Sequence, residues 1–307
     1  MDTFAELPHL PAGEPLRPRR IPLHVVQAAV VFDDFRLVYV PVPKAGSTAI
    51  LWALAGLAGL SSEDFARSRK LEVTRSLAVH DMSIWGSSHQ LAGRTSTEIE
   101  WILGSDEWFR ISVVREPVRR LWSAWVSKVL MRDPRFVTAF GAEEWFPQQP
   151  ASSTDVIESF RRFVHILPRR PADWHDPHWL SQADLIGTAD LEYAHLGRAE
   201  RLHETVAILR DYVASRGHGL SPVERRNPSL LPFVPGLLDP SALDACNLWV
   251  ARDREAFGYG LASAAEDGPD GRWHAVVEAN LPAIQAIAER NERIADLRHS
   301  LRSSQSS

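Results

Sequence analysis

The chain contains a single cysteine, Cys246. One thiol excludes an intramolecular disulfide framework and a zinc site built from cysteines, and it fits a reducing compartment. Long apolar runs are missing as well. The longest, Ala49 to Leu60, covers 12 residues, whereas a bilayer-spanning helix needs about 20. Met1 to Arg20 is rich in proline and basic residues but lacks the apolar stretch of a signal peptide. These absences lead to the expectation of a soluble, cytoplasmic protein without a transmembrane segment. Positive charge is not in excess either: 34 Lys and Arg face 39 Asp and Glu, for a net charge of -5. Nucleic-acid binders are usually basic, so no nucleic-acid partner is expected. A small anionic ligand still fits, because it needs only a local basic pocket.

What is present suits a large globular unit. The 307 residues, 45% of them apolar, can bury a full core. Eleven tryptophans are many. Most should pack helices and core, and some could line an acceptor groove, since indole offers flat apolar surface with one N–H donor. Residues 1–22 read as a flexible arm, 23–261 as the main domain, and 262–307 as a linker and an amphipathic helix. Arg36 to Val42 and Trp108 to Val114 read as short buried strands, and Asp184 to Gly187 as a third. Helices are expected over 49–60, 97–103, from Arg115 to about Met131, and over 155–166, 202–215, 243–257 and 273–301. The stretches 133–155 and 217–240 read as long loops. Strands alternating with helices imply an α/β fold with a mainly parallel sheet and helices on both faces.

Two constellations carry chemistry. The first is Pro43-Lys44-Ala45-Gly46-Ser47-Thr48, between a strand and a helix. Such a turn presents free backbone N–H groups and the positive end of the helix dipole to an anion. Gly46 permits close backbone approach. Ser47 and Thr48 add hydroxyls, and Lys44 adds a mobile point charge. The order differs from a Walker A motif, where Lys follows Gly. The second constellation runs from Val113 to Trp125. Arg115 stands at a strand end, where α/β folds bind ligands. Ser123 follows two helical turns later. An Arg fork and a hydroxyl converging in this way suit a terminal phosphate. Basic residues at a helix start oppose its dipole, so Arg115, Arg119 and Arg120 together suggest an anion.

In order and spacing, the pair resembles the 5′-phosphosulfate loop and the 3′-phosphate motif of sulfotransferases that use 3′-phosphoadenosine-5′-phosphosulfate (PAPS). The nearest likeness is to the carbohydrate (family 2, Golgi-type) branch and its soluble bacterial relatives. Further short segments resemble the same family: His178 to Gln182, Asp184 to Gly187, Gly197 to Glu200, Asn227 to Ser229 and Phe257 to Tyr259. The likeness extends over roughly residues 36–260. The chain departs from the Golgi members in having neither their N-terminal anchor nor their lumenal disulfides, and Glu116 stands where Asp is commoner.

The resemblance implies a P-loop-like three-layer sandwich. It implies sulfuryl transfer from PAPS, with PAP as product, to a hydroxyl of a carbohydrate or glycosylated small molecule, without a metal. Lys44, Ala45, Gly46, Ser47 and Thr48 would bind the 5′-phosphosulfate, with Lys44 stabilising the leaving oxygen. Arg115 and Ser123 would bind the 3′-phosphate. A general base is expected between the two motifs. His80, followed by Asp81, is the first candidate and His89 the second. His175 and His178 form an H-x-x-H pair without an evident third metal ligand. Arg225, Arg226 and Asn227 could close over the nucleotide. The last helix carries Ile287, Ile294 and Leu301 at sevenfold spacing; it is expected to dock on the domain, with a homodimer through this helix as the other option. Two competing functions are a P-loop-type nucleotide kinase and a non-catalytic nucleotide- or glycan-binding relative. The kinase reading lacks the Gly-Lys-Ser/Thr order, and Arg115 stands where an acidic magnesium ligand would be.

Overall fold

The computed structural model describes residues 21–68, 74–170, 176–223, 229–262 and 268–305. The chain passes through α1 (Leu23–Ala28), β1 (Val30–Phe32), β2 (Leu37–Val40), α2 (Ser47–Leu57) and α3 (Ser62–Phe65). Three 3-10 turns, at Arg75–His80, Met82–Ile84 and Ser87–His89, lead to α4 (Ser96–Gly104), β3 (Phe109–Val114) and α5 (Pro117–Trp125). A π-helical turn at Val126–Leu130 extends α5. Then come α6 (Pro134–Phe140), α7 (Ser153–Ile166), α8 (Gln182–Ile186), β4 (His195–Arg198) and α9 (Leu202–Ala214). The described chain closes with α10 (Pro240–Trp249), α11 (Ala251–Phe257) and α12 (Gly271–Gln305).

The strands form a four-stranded sheet in the order β1-β2-β3-β4. β1 runs antiparallel to β2, while β2, β3 and β4 are mutually parallel. Both faces are covered, as a parallel sheet requires. Successive strand residues point to opposite faces. Leu37, Tyr39, Ile111 and Val113 therefore pack with Ile50 and Leu54 of α2 and Leu209 of α9. Val38, Val40 and Val114 pack instead with Ile102 of α4 and with Leu185 and Ile186 of α8. A third apolar cluster lies beyond the sheet and is helical and aromatic. It gathers Trp122, Trp125, Phe160, Phe163 and Trp179 with Trp273, Val277, Leu281 and Ile284 of α12.

Helix starts follow local signals. Thr95 with Glu98, and Ser152 with Asp155, form capping boxes at α4 and α7. Pro117, Pro134 and Pro240 sit in first turns, where a missing N–H costs nothing. Several sequence expectations need correcting. Asp184 to Gly187 is not a strand. Ser181 accepts the Asp184 N–H and Gly187 takes the left-handed conformation at φ 67°, which makes a short capped helix. The fourth strand is β4, whose single apolar residue with a long side chain, Leu196, is 39% exposed, so it shows no buried apolar pattern. Gly197 is required there: a Cβ would come within 1.9 Å of Thr205 Oγ1 on α9. The expected loop at 133–155 contains α6, started by Asp133 and Pro134. The single helix expected over 243–257 is broken at Val250.

α12 docks on the domain, as expected from sequence. Its buried face is Trp273, Val277, Leu281, Ile284 and Ala288, while Leu297 and Leu301 stay exposed. Glu278 accepts the Ser153 N–H at 2.7 Å, and Asn291 Nδ2 donates to the Met131 carbonyl at 2.7 Å. Seven of the eleven tryptophans, Trp85, Trp108, Trp122, Trp125, Trp145, Trp179 and Trp273, are buried core residues, which favours packing as their main use.

Candidate active site

β2 delivers the loop 43–48 to the N-terminus of α2. Lys44 and Gly46 both take positive φ, 68° and 83°. For lysine that conformation is uncommon and costs free energy, so it persists only where the surroundings hold it. Arg115 Nη1 donates to the Lys44 carbonyl at 3.0 Å, and Arg120 Nε donates to the Pro43 carbonyl at 2.9 Å. Gly46 is the N-cap of α2 and offers no side-chain cap. The first-turn amides therefore face outward without a side-chain acceptor, which is the arrangement an anion fits. The Ser47 side chain is buried at the helix start. Burial pulls the Lys44 ammonium down to about 7. Lys128, Arg115 and Arg120 press it in the same direction, and Asp133 opposes them. An anion arriving here would relieve that crowding of positive charge.

The three arginines after β3 turn out to do three different things. Arg115 holds the loop. Arg120 is buried and also donates Nη1 to the Leu180 carbonyl at 2.8 Å and Nη2 to the Pro177 carbonyl at 2.7 Å. One guanidinium thus ties the 43–48 loop to the turn before α8. Arg119 is exposed over the Phe233 ring at 5.4 Å. The expected anion cluster of three is therefore a division of labour, because Arg120 meets three carbonyls rather than solvent. Glu116, two residues before Val118, caps α5 and answers the dipole itself.

Other segments that resembled the family meet at this strand end. The Arg115 N–H donates to Gln182 Oε1 at 2.9 Å, and Gln182 Nε2 donates back to the Arg115 carbonyl at 2.9 Å. Asp253 accepts from Ser181, Gln182 and Ala183. Glu200 accepts from the Glu116 N–H and from the Tyr259 hydroxyl. Arg198 donates to the Phe257 carbonyl at 2.6 Å, with its guanidinium 4.4 Å from the Tyr259 ring centre. Asp253 was not singled out from sequence, Arg120 was read only as part of a basic cluster, and Gln182 and Glu200 only as members of family-like segments. Nothing in their spacing reveals that they converge across 60 to 80 residues.

His80 closes its 3-10 turn beside the loop, with Nε2 2.9 Å from Thr48 Oγ1. Asp81 accepts from the Ser68 and Ser83 hydroxyls. His89 donates from Nδ1 to the Val31 carbonyl at 2.9 Å and rests on the Phe32 ring, so it braces β1. Ser123 is half-buried on α5, and its hydroxyl has no hydrogen-bond partner among the described residues. His178 donates from Nδ1 to Asp176. His175, Arg225, Arg226 and Asn227 lie outside the described residues. Among the described residues, no group of three or more His, Cys, Asp or Glu side chains could hold a metal ion, and no helix is long and apolar enough to cross a membrane.

The profile of the sulfotransferase family matches residues 27–227, from the end of α1 past α9. The chain belongs to the sulfotransferase family. Its relatives include the carbohydrate sulfotransferases of family 2. Carbohydrate sulfotransferase 10 of Danio rerio is 27% identical over 213 residues, 62% of this chain and 52% of that protein. The protein of the same name from Homo sapiens is 24% identical over 222 residues, 66% of this chain and 54% of that one. The chain thus spans about half the length of the curated relatives it matches. No solved structure matches it.

Proposed function

We propose that this sulfotransferase moves a sulfuryl group from PAPS to a hydroxyl of a carbohydrate or a glycosylated small molecule. The observation that carries the reading is the uncapped N-terminus of α2, which joins a strained lysine turn to the strand-end Arg115. In this reading the sheet, loop and helix form a P-loop-like donor site. Backbone amides of 45–48 and the Ser47 and Thr48 hydroxyls hold the phosphosulfate. Lys44 meets charge as it develops on the bridging oxygen. Arg115 and Ser123 take the 3′-phosphate. Catalysis is then mostly in-line positioning and charge neutralisation, as in phosphoryl transfer. The carbohydrate acceptor is supported by the names of the relatives.

The kinase alternative is disfavoured by Arg115, which stands at the strand end where a magnesium ligand would be needed. Thermal unfolding with added nucleotide tests the choice. PAP at 100 times its Kd should stabilise by about 2.7 kcal/mol, and ATP at the same concentration should do far less. A chain that melts at the same temperature with saturating PAP as without it would overturn the reading.

A further inference from the structure

Sulfuryl transfer to a hydroxyl releases a proton, and His80 and His178 are among the described histidines near the Lys44 loop. They differ in what their ring nitrogens already meet. His80 directs Nε2 at the Thr48 hydroxyl, 2.9 Å away. Either that nitrogen is filled by the hydroxyl proton, or it carries a proton itself. In both cases the nitrogen serves the donor loop. His178 has the opposite arrangement. Its Nδ1–H is fixed by the Asp176 carboxylate, and its backbone N–H also donates to that carboxylate at 2.9 Å. Fixing the proton on Nδ1 leaves Nε2 as a lone-pair acceptor, and Nε2 has no hydrogen-bond partner among the described residues.

The position of this pair is set by Arg120. Its guanidinium donates to the carbonyl of Pro43, directly before Lys44, and to that of Pro177, directly before His178. Phe136 of α6 stands edge-on to the imidazole at 6.2 Å. The charged groups around the pair come from several elements. Lys128 lies on the π-helical turn and is bound to Asp133 at 2.7 Å. Arg135 bears on Asp176, and Lys44 and Lys128 bear on His178. π-helical turns inside α-helices are often found at functional sites.

We propose that the acceptor hydroxyl gives its proton to Nε2 of His178, with Asp176 orienting the ring, and that His80 serves donor binding through Thr48. The proposal rests on the sulfotransferase reading above. The acceptor oxygen forms the new bond to sulfur. The bridging oxygen–sulfur bond breaks, and its electron pair leaves on PAP beside Lys44. The proton passes to His178, and from the imidazolium to water. Burial, with the charges of Lys128 and Lys44, holds the free imidazole down to about 3 despite the Asp176 bond. The phosphosulfate brings negative charge to those lysines, so the base gains strength when the donor is bound.

The experiment compares single variants of the full chain. PAP affinity is measured by calorimetry, and turnover as PAP release from PAPS with a panel of neutral and acidic β-glycosides. If no glycoside is sulfated, slow release with water as acceptor is read instead, since water must lose a proton too. General-base catalysis is typically worth about 10²–10⁴-fold. His178→Ala and His178→Asn should lose turnover in that range, with PAP affinity within about threefold of the parent. His80→Asn should weaken PAP binding and keep turnover at saturating PAPS within about tenfold. Asp176→Asn should lower turnover and move its pH profile, an effect that lost packing would not produce. Near-normal turnover in His178→Asn, or a larger turnover loss in His80→Asn with PAP affinity intact, overturns the proposal. A parent chain that fails to bind PAP at all would instead count against the sulfotransferase reading.

Discussion

Around the loop 43–48 the chain is held by polar side chains gripping backbone. Arg120 donates to the carbonyls of Pro43, Pro177 and Leu180, and Gln182 pairs with both backbone groups of Arg115. One face of α5 away, around Trp122 and Trp125, the contacts are almost all apolar. The two indoles stack at 5.2 Å, and Phe160 packs at 4.8 Å and 5.1 Å from them. α5 belongs to both regions: Arg120 points one way, and its apolar neighbours point the other. The apolar region supplies bulk stability, which grows with buried area and is indifferent to direction. The polar region supplies shape. Directional hydrogen bonds hold a loop in a backbone conformation that lysine would not adopt unaided.

Four substitutions sharpen or break this contrast. Trp125→Ala should have the largest effect on the fold, since removing a buried aromatic costs about 3–5 kcal/mol. Denaturant unfolding should show that loss, while the fraction still folded binds PAP with unchanged affinity. A large drop in affinity of the folded fraction would mean that the two regions are not separable. Arg120→Met keeps the volume and strands three buried carbonyls. Leaving a buried acceptor unsatisfied costs about 1–3 kcal/mol each, and relaxation and water should bring the sum below the full total. Here PAP affinity should fall along with stability, because Pro43 and Pro177 lose their shared anchor. If stability falls and affinity does not, the loop is fixed by something other than Arg120. The smallest effect is the comparison of Arg115→Ala with Arg119→Ala. Losing a charge-assisted contact costs about 1.5–3 kcal/mol, so Arg115→Ala should weaken PAP binding roughly tenfold to a hundredfold. Arg119→Ala, exposed over Phe233, should change it little. Equal losses in the two variants would show that the exposed arginine also meets the nucleotide.

The parts of this protein that depend on short-range pattern were legible without the structure. β2 is buried on both faces and stands out as a continuous apolar run, β3 stays mostly apolar around Arg110 and Ser112, and α2 follows its loop as a nearly apolar helix. Local capping residues mark α4, α5 and α7 closely enough to place them within a few residues. The Lys44 loop and Arg115 stood out because each lies at a strand–helix junction, within its own short stretch of chain. β4 was missed because its residues are mostly polar and its place is won by pairing with β3 and by the space that Gly197 leaves for Thr205. α8 was misread because Asp184 to Gly187 is too short for its period to distinguish helix from strand. The partners of each functional side chain were not legible at all. Three arginines in six residues look alike in sequence, yet one grips the loop, one faces solvent and one is buried among carbonyls. Likewise the sequence favoured His80 as the base and offered His178 only as half of an H-x-x-H pair. What separates them is a hydroxyl 32 residues away in one case and a carboxylate two residues away in the other. Sequence determines which groups are available and which backbone turns can present them. The direction each group faces is settled by contacts between segments distant in the chain, and only the tertiary structure fixes those.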